Sequence, residues 1–145
     1  MKKASLFSLA VALILPAAAC ADNRPIEVEE LPAQAKSFLE VNFKDAKVSF
    51  ATVDRELFGG TYEVTFVDGG SVDFDRKGNW KEVECKTGAV PAAIVPEAIL
   101  SHVSSRHPES HIRTISHDGR DWDVDLNNGL DLKFDRRFRL VEIED

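Results

Sequence analysis

The chain has 145 residues, 43% of them hydrophobic and 30% charged, with 25 acidic against 18 basic side chains and a formal net charge of −7. That length fits a single domain. The charge balance excludes a surface built for nucleic acid or anionic lipid, because both are bound by Lys and Arg set against phosphates.

The first 21 residues differ in kind from the rest. Lys2 and Lys3 precede the apolar run "LFSLAVALILPAAA", which small residues close. This is the pattern of a secretory signal, too short for a membrane span and with no second hydrophobic segment behind it. Ala19-Cys20-Ala21 meets the small-x-small cleavage rule and releases a chain beginning at Asp22. The alternative is a membrane-anchored lipoprotein with lipid on Cys20. Ala17 stands where such signals carry Leu, so plain secretion to the periplasm or beyond is the reading. Loss of Lys2 and Lys3 takes Lys+Arg from 18 to 16 against 25 acids, a formal −9 that favours cationic partners or metal ions. Cys85 then lacks an internal disulfide partner, and its alternation with Val83 reads as a small buried hydrophobe.

Residues 22–145 form one domain built of two similar units, about 31–86 and about 95–145. The first unit opens with a helix: Pro32 suits the first helical position, and Ala35, Phe38, Leu39 and Phe43 form one apolar stripe. Strands are predicted over 47–53, 61–67, 71–75 and 80–86. In the second unit Pro96 starts the helix, Ile99, Leu100 and Val103 make the stripe, and Pro108 stops it. Strands are predicted over 111–117, 121–127, 130–135 and 138–144. "VDGG" and "NNG" are tight turns, so the middle pairs are antiparallel hairpins.

The two units repeat one sentence at an offset of sixty. Tyr62, Val64, Phe66, Val72, Phe74 and Val83 match Trp122, Val124, Leu126, Leu132, Phe134 and Ile143. Matches at every second residue are a strand signature, and self-similarity of this kind means tandem supersecondary units. Tyr62, Val64, Phe66, Val72, Phe74, Trp122, Val124, Leu126, Leu130, Leu132 and Phe134 face one way and bury under the helices. Glu63, Thr65, Asp73, Asp75, Asp123, Asp125, Asp131, Lys133 and Asp135 face the other way, towards water. The expectation is an α+β fold: two tandem helix-plus-antiparallel-strand repeats making one two-layer domain, helices on one face of a continuous sheet.

Four stretches, "DNRPIEVEELPAQAKSFLEVNF", "YEVTFVDGGSVDFDRKGNWKEVEC", "VPAAIVPEAI" and "LNNGLDLKFD", resemble the secreted PepSY-like, beta-lactamase-inhibitor-like proteins. The resemblance spans nearly all of residues 22–145. It implies a fold like that of beta-lactamase inhibitory protein, with a helical element and a four-stranded antiparallel sheet in each repeat, and a soluble periplasmic product cleaved before "DN". It transfers no catalytic motif. The chain departs from strict repetition where His107 stands for Phe43 and "RRFRL" replaces "RKGNW".

Several chemistries are weighed against these residues. Asp73, Asp75, Gly78 and Glu84 fall at positions one, three, six and twelve of a calcium loop, but Lys77 puts an ammonium where a ligand oxygen belongs and no helices flank it. It reads as a polar turn. His102, His107, His111 and His117 cluster, yet Pro108 breaks the helical spacing of His107 and His111, and no metal site is assigned. No nucleophile elbow, Cys-His pair or phosphate loop is present, so the reading is non-enzymatic and without a cofactor.

What is left is the solvated face. Glu63, Asp73, Asp75, Asp123, Asp125, Asp131 and Asp135 make it acidic, and Glu82, Glu84, Glu142 and Glu144 extend it. Trp80 shares the parity of Glu82 and Glu84, which makes it a candidate anchor for a partner. A small bulge after Gly78 would turn it inward, and Leu140 at the matching place in the second unit argues that both belong to the core. The expected function is a secreted binding module for a protein or peptide of basic character, an inhibitor of a peptidase or other hydrolase in its sharpest form. The alternatives are a divalent-cation binder or sensor and a structural envelope protein without a specific ligand.

Overall fold

A computed structural model describes residues 23–55 and 60–145; the signal segment and Cys20 lie outside them. The chain runs through β1 (Asn23–Ile26), a 3-10 turn (Val28–Glu30), α1 (Ala33–Asn42), β2 (Val48–Asp54), β3 (Thr61–Phe66), β4 (Ser71–Phe74) and β5 (Trp80–Glu84). A second 3-10 turn (Ala92–Ile94) leads to α2 (Glu97–Arg106), β6 (Ile112–His117), β7 (Trp122–Leu126), β8 (Asp131–Phe134) and β9 (Leu140–Glu144). All nine strands pair antiparallel in one sheet, in chain order. The fold is α+β, with both helices on one side of that sheet.

The eight expected strands are present to within two residues at each end. β1 was not expected, because Asn23, Arg24 and Pro25 carry no hydrophobic alternation. It pairs with β2 at the sheet's edge, a place that tolerates proline. Pro32 and Pro96 stand one residue earlier than expected, as the caps that precede α1 and α2. Their carbonyls accept from the N–H of Lys36 (3.1 Å) and Leu100 (3.0 Å).

The helices bury Ala35 and Leu39, and Ile99 and Val103, at i, i+4 spacing. They pack on Val64, Val72, Phe74, Val83, Val124, Leu132 and Phe134, the apolar row of the sheet. Phe38 of α1 meets Phe74 edge-on at 5.6 Å, and Phe43 stacks on Phe66 at 5.1 Å. Such ring pairs add about 1 kcal/mol beyond their area. At the seam between the halves, β5 pairs with β6, and Val83 opposite Ile115 is fully buried with it. One core serves both halves.

The halves also bend alike. Register shifts mark Ser49 in β2 and Arg113 in β6 as extra residues, and likewise Lys81 in β5 and Val141 in β9. They differ at the turn before the last strand of each half. Gly78 there has a left-handed φ of 89°, and a Cβ would come within 2.9 Å of Pro32 Cβ and of Ala35 N. The corresponding residue of the β8–β9 turn is Phe138, at φ 61°, whose ring packs on Trp122 at 5.7 Å. A side chain in that backbone region costs about 1–2 kcal/mol.

Candidate functional site: an acidic sheet face

The register carries two rows of side chains across the side of the sheet away from the helices. One runs Thr52, Glu63, Asp73, Glu82, Ser116, Asp123, Lys133 and Glu142. The other runs Phe50, Thr65, Ser71, Glu84, Thr114, Asp125, Asp131 and Glu144. The expected residues Glu63, Asp73, Asp123, Asp125 and Asp131 therefore lie on one surface, joined by Glu82 and Glu84. Two shallow depressions mark it. One of about 240 Å³ lies over Thr52, Glu63, Asp73 and Lys81, and one of about 230 Å³ over Asp123, Asp125, Asp131 and Lys133.

The carboxylates load each other. Burial, then Glu63, Glu82 and Glu84, push the Asp73 carboxyl up to about 6, and its Oδ1 is buried with no hydrogen-bond partner. Glu82 is raised by burial and by Glu84, Asp125 and Glu63. Asp125 is raised by burial, by Asp131 directly opposite and by Asp123, with Arg113 pulling the other way. Like charges opposed across a ladder are destabilising, so this face is held in spite of its own repulsion.

Three expected members are elsewhere. The bulge at Lys81 puts Trp80 opposite Phe74 and turns it to the helix side, where it stacks on Phe38 at 6.1 Å and meets His117 edge-on at 4.5 Å. Trp80 is not an anchor on the acidic face. Asp75 closes the β4–β5 turn: its Oδ1 accepts from the N–H of Lys77 and Asn79, both at 2.9 Å. Burial pushes its carboxyl up, but the Asn79 and Lys77 bonds outweigh that and hold it below its ordinary value. Asp135 closes the β8–β9 turn in the same way, accepting from Arg137 N–H (2.8 Å) and Arg139 N–H (3.0 Å) and pairing with the Arg139 guanidinium. These two aspartates are turn-builders. Asp135 also lines a wider hollow of about 470 Å³ with Arg120, Arg136, Arg137 and Arg139, a basic corner on an acidic protein.

The face has members beyond the expected ones. Phe50 lies on it opposite Thr65 and is 51% exposed, in step with Thr52 and out of step with the buried Ala51 and Val53; the Ser49 bulge instead turns Val48 to the core side. Lys81 and Arg113 are the bulge residues beside the carboxylates. For Lys81 and Arg113 the signal is the bulge itself, which alternation alone does not reveal.

The remaining expectations resolve as follows. Cys85 is half-buried against the core, and burial, then Asp68 and Glu84, raise its thiol. His117 stacks on Trp122 at 4.6 Å, and burial, then Lys81, lowers its pKa. Among the described residues no three His, Cys, Asp or Glu side chains group to hold a metal ion, and no helix is long and apolar enough to cross a membrane.

Residues 60–142 match the model of the family described as "Putative beta-lactamase-inhibitor-like, PepSY-like". Among solved structures, the chain is similar to a protein of Bacteroides vulgatus described as a "putative periplasmic protein from DUF2874 family", at 39% identity and TM-score 0.84, covering 87% of this chain and 99% of that one. It is similar also to a protein of Bacteroides thetaiotaomicron described as a "putative calcium-regulated periplasmic protein", at 40% identity and TM-score 0.83, covering 86% and 98%. A third, from Bacteroides vulgatus and described as a "putative periplasmic protein of unknown function", shares 26% identity at TM-score 0.79, covering 85% and 99%. Among curated proteins none matches.

Proposed function

The chain belongs to the PepSY-like, beta-lactamase-inhibitor-like family, and from that premise we propose that it is a periplasmic, non-enzymatic module whose acidic sheet face binds a basic protein or peptide. The observation that carries this is the row Glu63, Asp73 and Glu82, set side by side with the helices on the opposite side and with exposed Phe50 in the neighbouring row. Carboxylates crowded against their own repulsion are relieved by a cation, so a Lys- or Arg-rich surface gains both attraction and release of strain. Long-range attraction speeds encounter, and apolar contact at Phe50 slows departure. Capture and inhibition of a hydrolase is the sharper form, in keeping with the family's description.

The test is capture of partners from periplasmic extract under a salt titration. The parent loses them as ionic strength rises. A variant with Glu63→Lys, Asp73→Asn, Glu82→Lys and Asp123→Lys loses them at every salt concentration while its circular dichroism is unchanged. Equal capture by both proteins refutes the proposal.

A second reading has one observation in its favour: the 40%-identical relative is described as calcium-regulated. On this chain the unpartnered Asp73 Oδ1 and the neighbouring Glu82 are the oxygens that would meet a divalent cation. Calcium then raises the melting temperature of the parent but not of Asp73→Asn. Identical melting of the parent with and without calcium removes this reading.

A further inference from the structure

Strands β5 and β9 correspond in sequence, Glu82, Val83 and Glu84 to Glu142, Ile143 and Glu144, and each bears the same bulge against the strand before it. Their outer edges differ. That of β5 is filled by β6, leaving Val83 wholly buried. That of β9 meets no strand among the described residues, and Ile143 is 53% and Val141 57% exposed.

The backbone of β9 is set to take a partner. Cys85 N–H reaches Arg113 O at 2.8 Å, so two residues back Val83 also turns its amide groups towards β6. Ile143 holds that position in β9 and turns its N–H and C=O away from β8. The opposite edge of the sheet, β1, is blunted by Pro25. β9 carries neither proline nor lysine.

We infer that β9 docks an extended segment of a partner protein, which adds antiparallel as a tenth strand. The seam supplies the chemistry. There Ile115 faces Val83, while Thr114 and Ser116 face Glu84 and Glu82. The docked segment sets a β-branched apolar residue opposite Ile143 on the helix side, flanked by hydroxyl or basic residues opposite Glu142 and Glu144. A second copy of this chain is disfavoured, because β9 against β9 opposes glutamates to glutamates. Glu142 and Glu144 end the two rows of the acidic face at this edge, but the docking is carried by the open backbone of β9 and by Ile143 on the helix side, so it does not rest on the function proposed for that face.

The probe is a synthetic peptide of residues 111–117, HIRTISH, titrated into the isotope-labelled protein and followed by amide chemical shifts. Saturable shifts on β8 and β9, with slowed exchange of the Ile143 amide, are expected. Ile143→Pro removes an N–H that the β8 ladder does not use, and weakens the peptide by about tenfold or more. Ile143→Lys keeps the N–H but sets a charge against the peptide's Ile, and weakens it as well. Both variants keep the parent's spectrum elsewhere. No saturable shift, shifts confined to other strands, equal affinity for a folded variant, or a dimer in sedimentation that itself protects Ile143 overturns the inference.

Discussion

Asp73 and Glu82 stand directly opposite each other on β4 and β5, with Glu63 opposite Asp73 on its other side. Burial first, and then the carboxylates on either side, push the middle one up to about 6 from its ordinary 3.8. The folded chain therefore holds a proton that the unfolded chain releases between about pH 4 and 6. Stability from this group falls as pH rises through that window, and the penalty is complete above it. Asp73→Asn is expected to stabilise the protein by about 1 kcal/mol at pH 7, a figure discounted for partial exposure, with the gain vanishing near pH 4. His117, its pKa lowered, acts with opposite sign below its ordinary value of 6.5. The check is therefore the difference between variant and parent in urea unfolding at the two pH values; a difference that does not change with pH contradicts the account.

Gly78→Ala puts a methyl group into left-handed backbone and against Pro32 and Ala35. A loss of about 2 kcal/mol or more is expected. Phe138→Gly relieves the same strain at the corresponding turn but gives up the ring on Trp122, so its net effect stays within about 1 kcal/mol. Denaturation midpoints of the pair decide this, and equal losses would show that the Gly78 contact with α1 contributes nothing.

Val83 and Ile143 separate a sealed strand from an open one. Val83→Ala is expected to cost about 2 kcal/mol because it leaves a cavity at the seam between the halves. Ile143→Ala stays within about 0.5 kcal/mol. Both variants unfold in a single transition if one core serves the whole chain, and calorimetry of Val83→Ala reads this directly: two separated transitions would show halves that melt apart.

Asp75→Ala leaves two turn N–H groups without their acceptor and is expected to cost about 1 kcal/mol. Asp135→Ala moves stability in the same direction and frees the Arg139 guanidinium. Neither alters salt-dependent capture of partners, since neither carboxylate is part of the open row. Loss of capture in a folded Asp75→Ala protein would return that residue to the binding surface.

Alternation of Val64, Phe66, Val72 and Phe74 against Glu63, Thr65, Asp73 and Ser71 made both faces of the sheet legible, because a buried side fixes register. The same rule stops at an extra residue: the bulge at Lys81 puts Trp80 under α1, where its match with Leu140 argues it belongs, against its parity with Glu82 and Glu84. A bulge depends on how two strands twist together, so it leaves little trace in either strand alone. Asp75 and Asp135 were misplaced for a related reason. They follow the strand pattern by one residue too many, and local hydrogen bonds from the turn claim them.

Because every ladder joins strands that are neighbours along the chain, no strand must wait for a distant one to be made. A polypeptide emerging N-terminus first can lay down this sheet in sequence, each new hairpin finding its template already in place. The two longest waits fall at the helices, where β1 stands until α1 and β2 arrive and β5 until α2 and β6 arrive. Those pauses are where an unfinished chain is most open to capture by a chaperone or cutting by a protease.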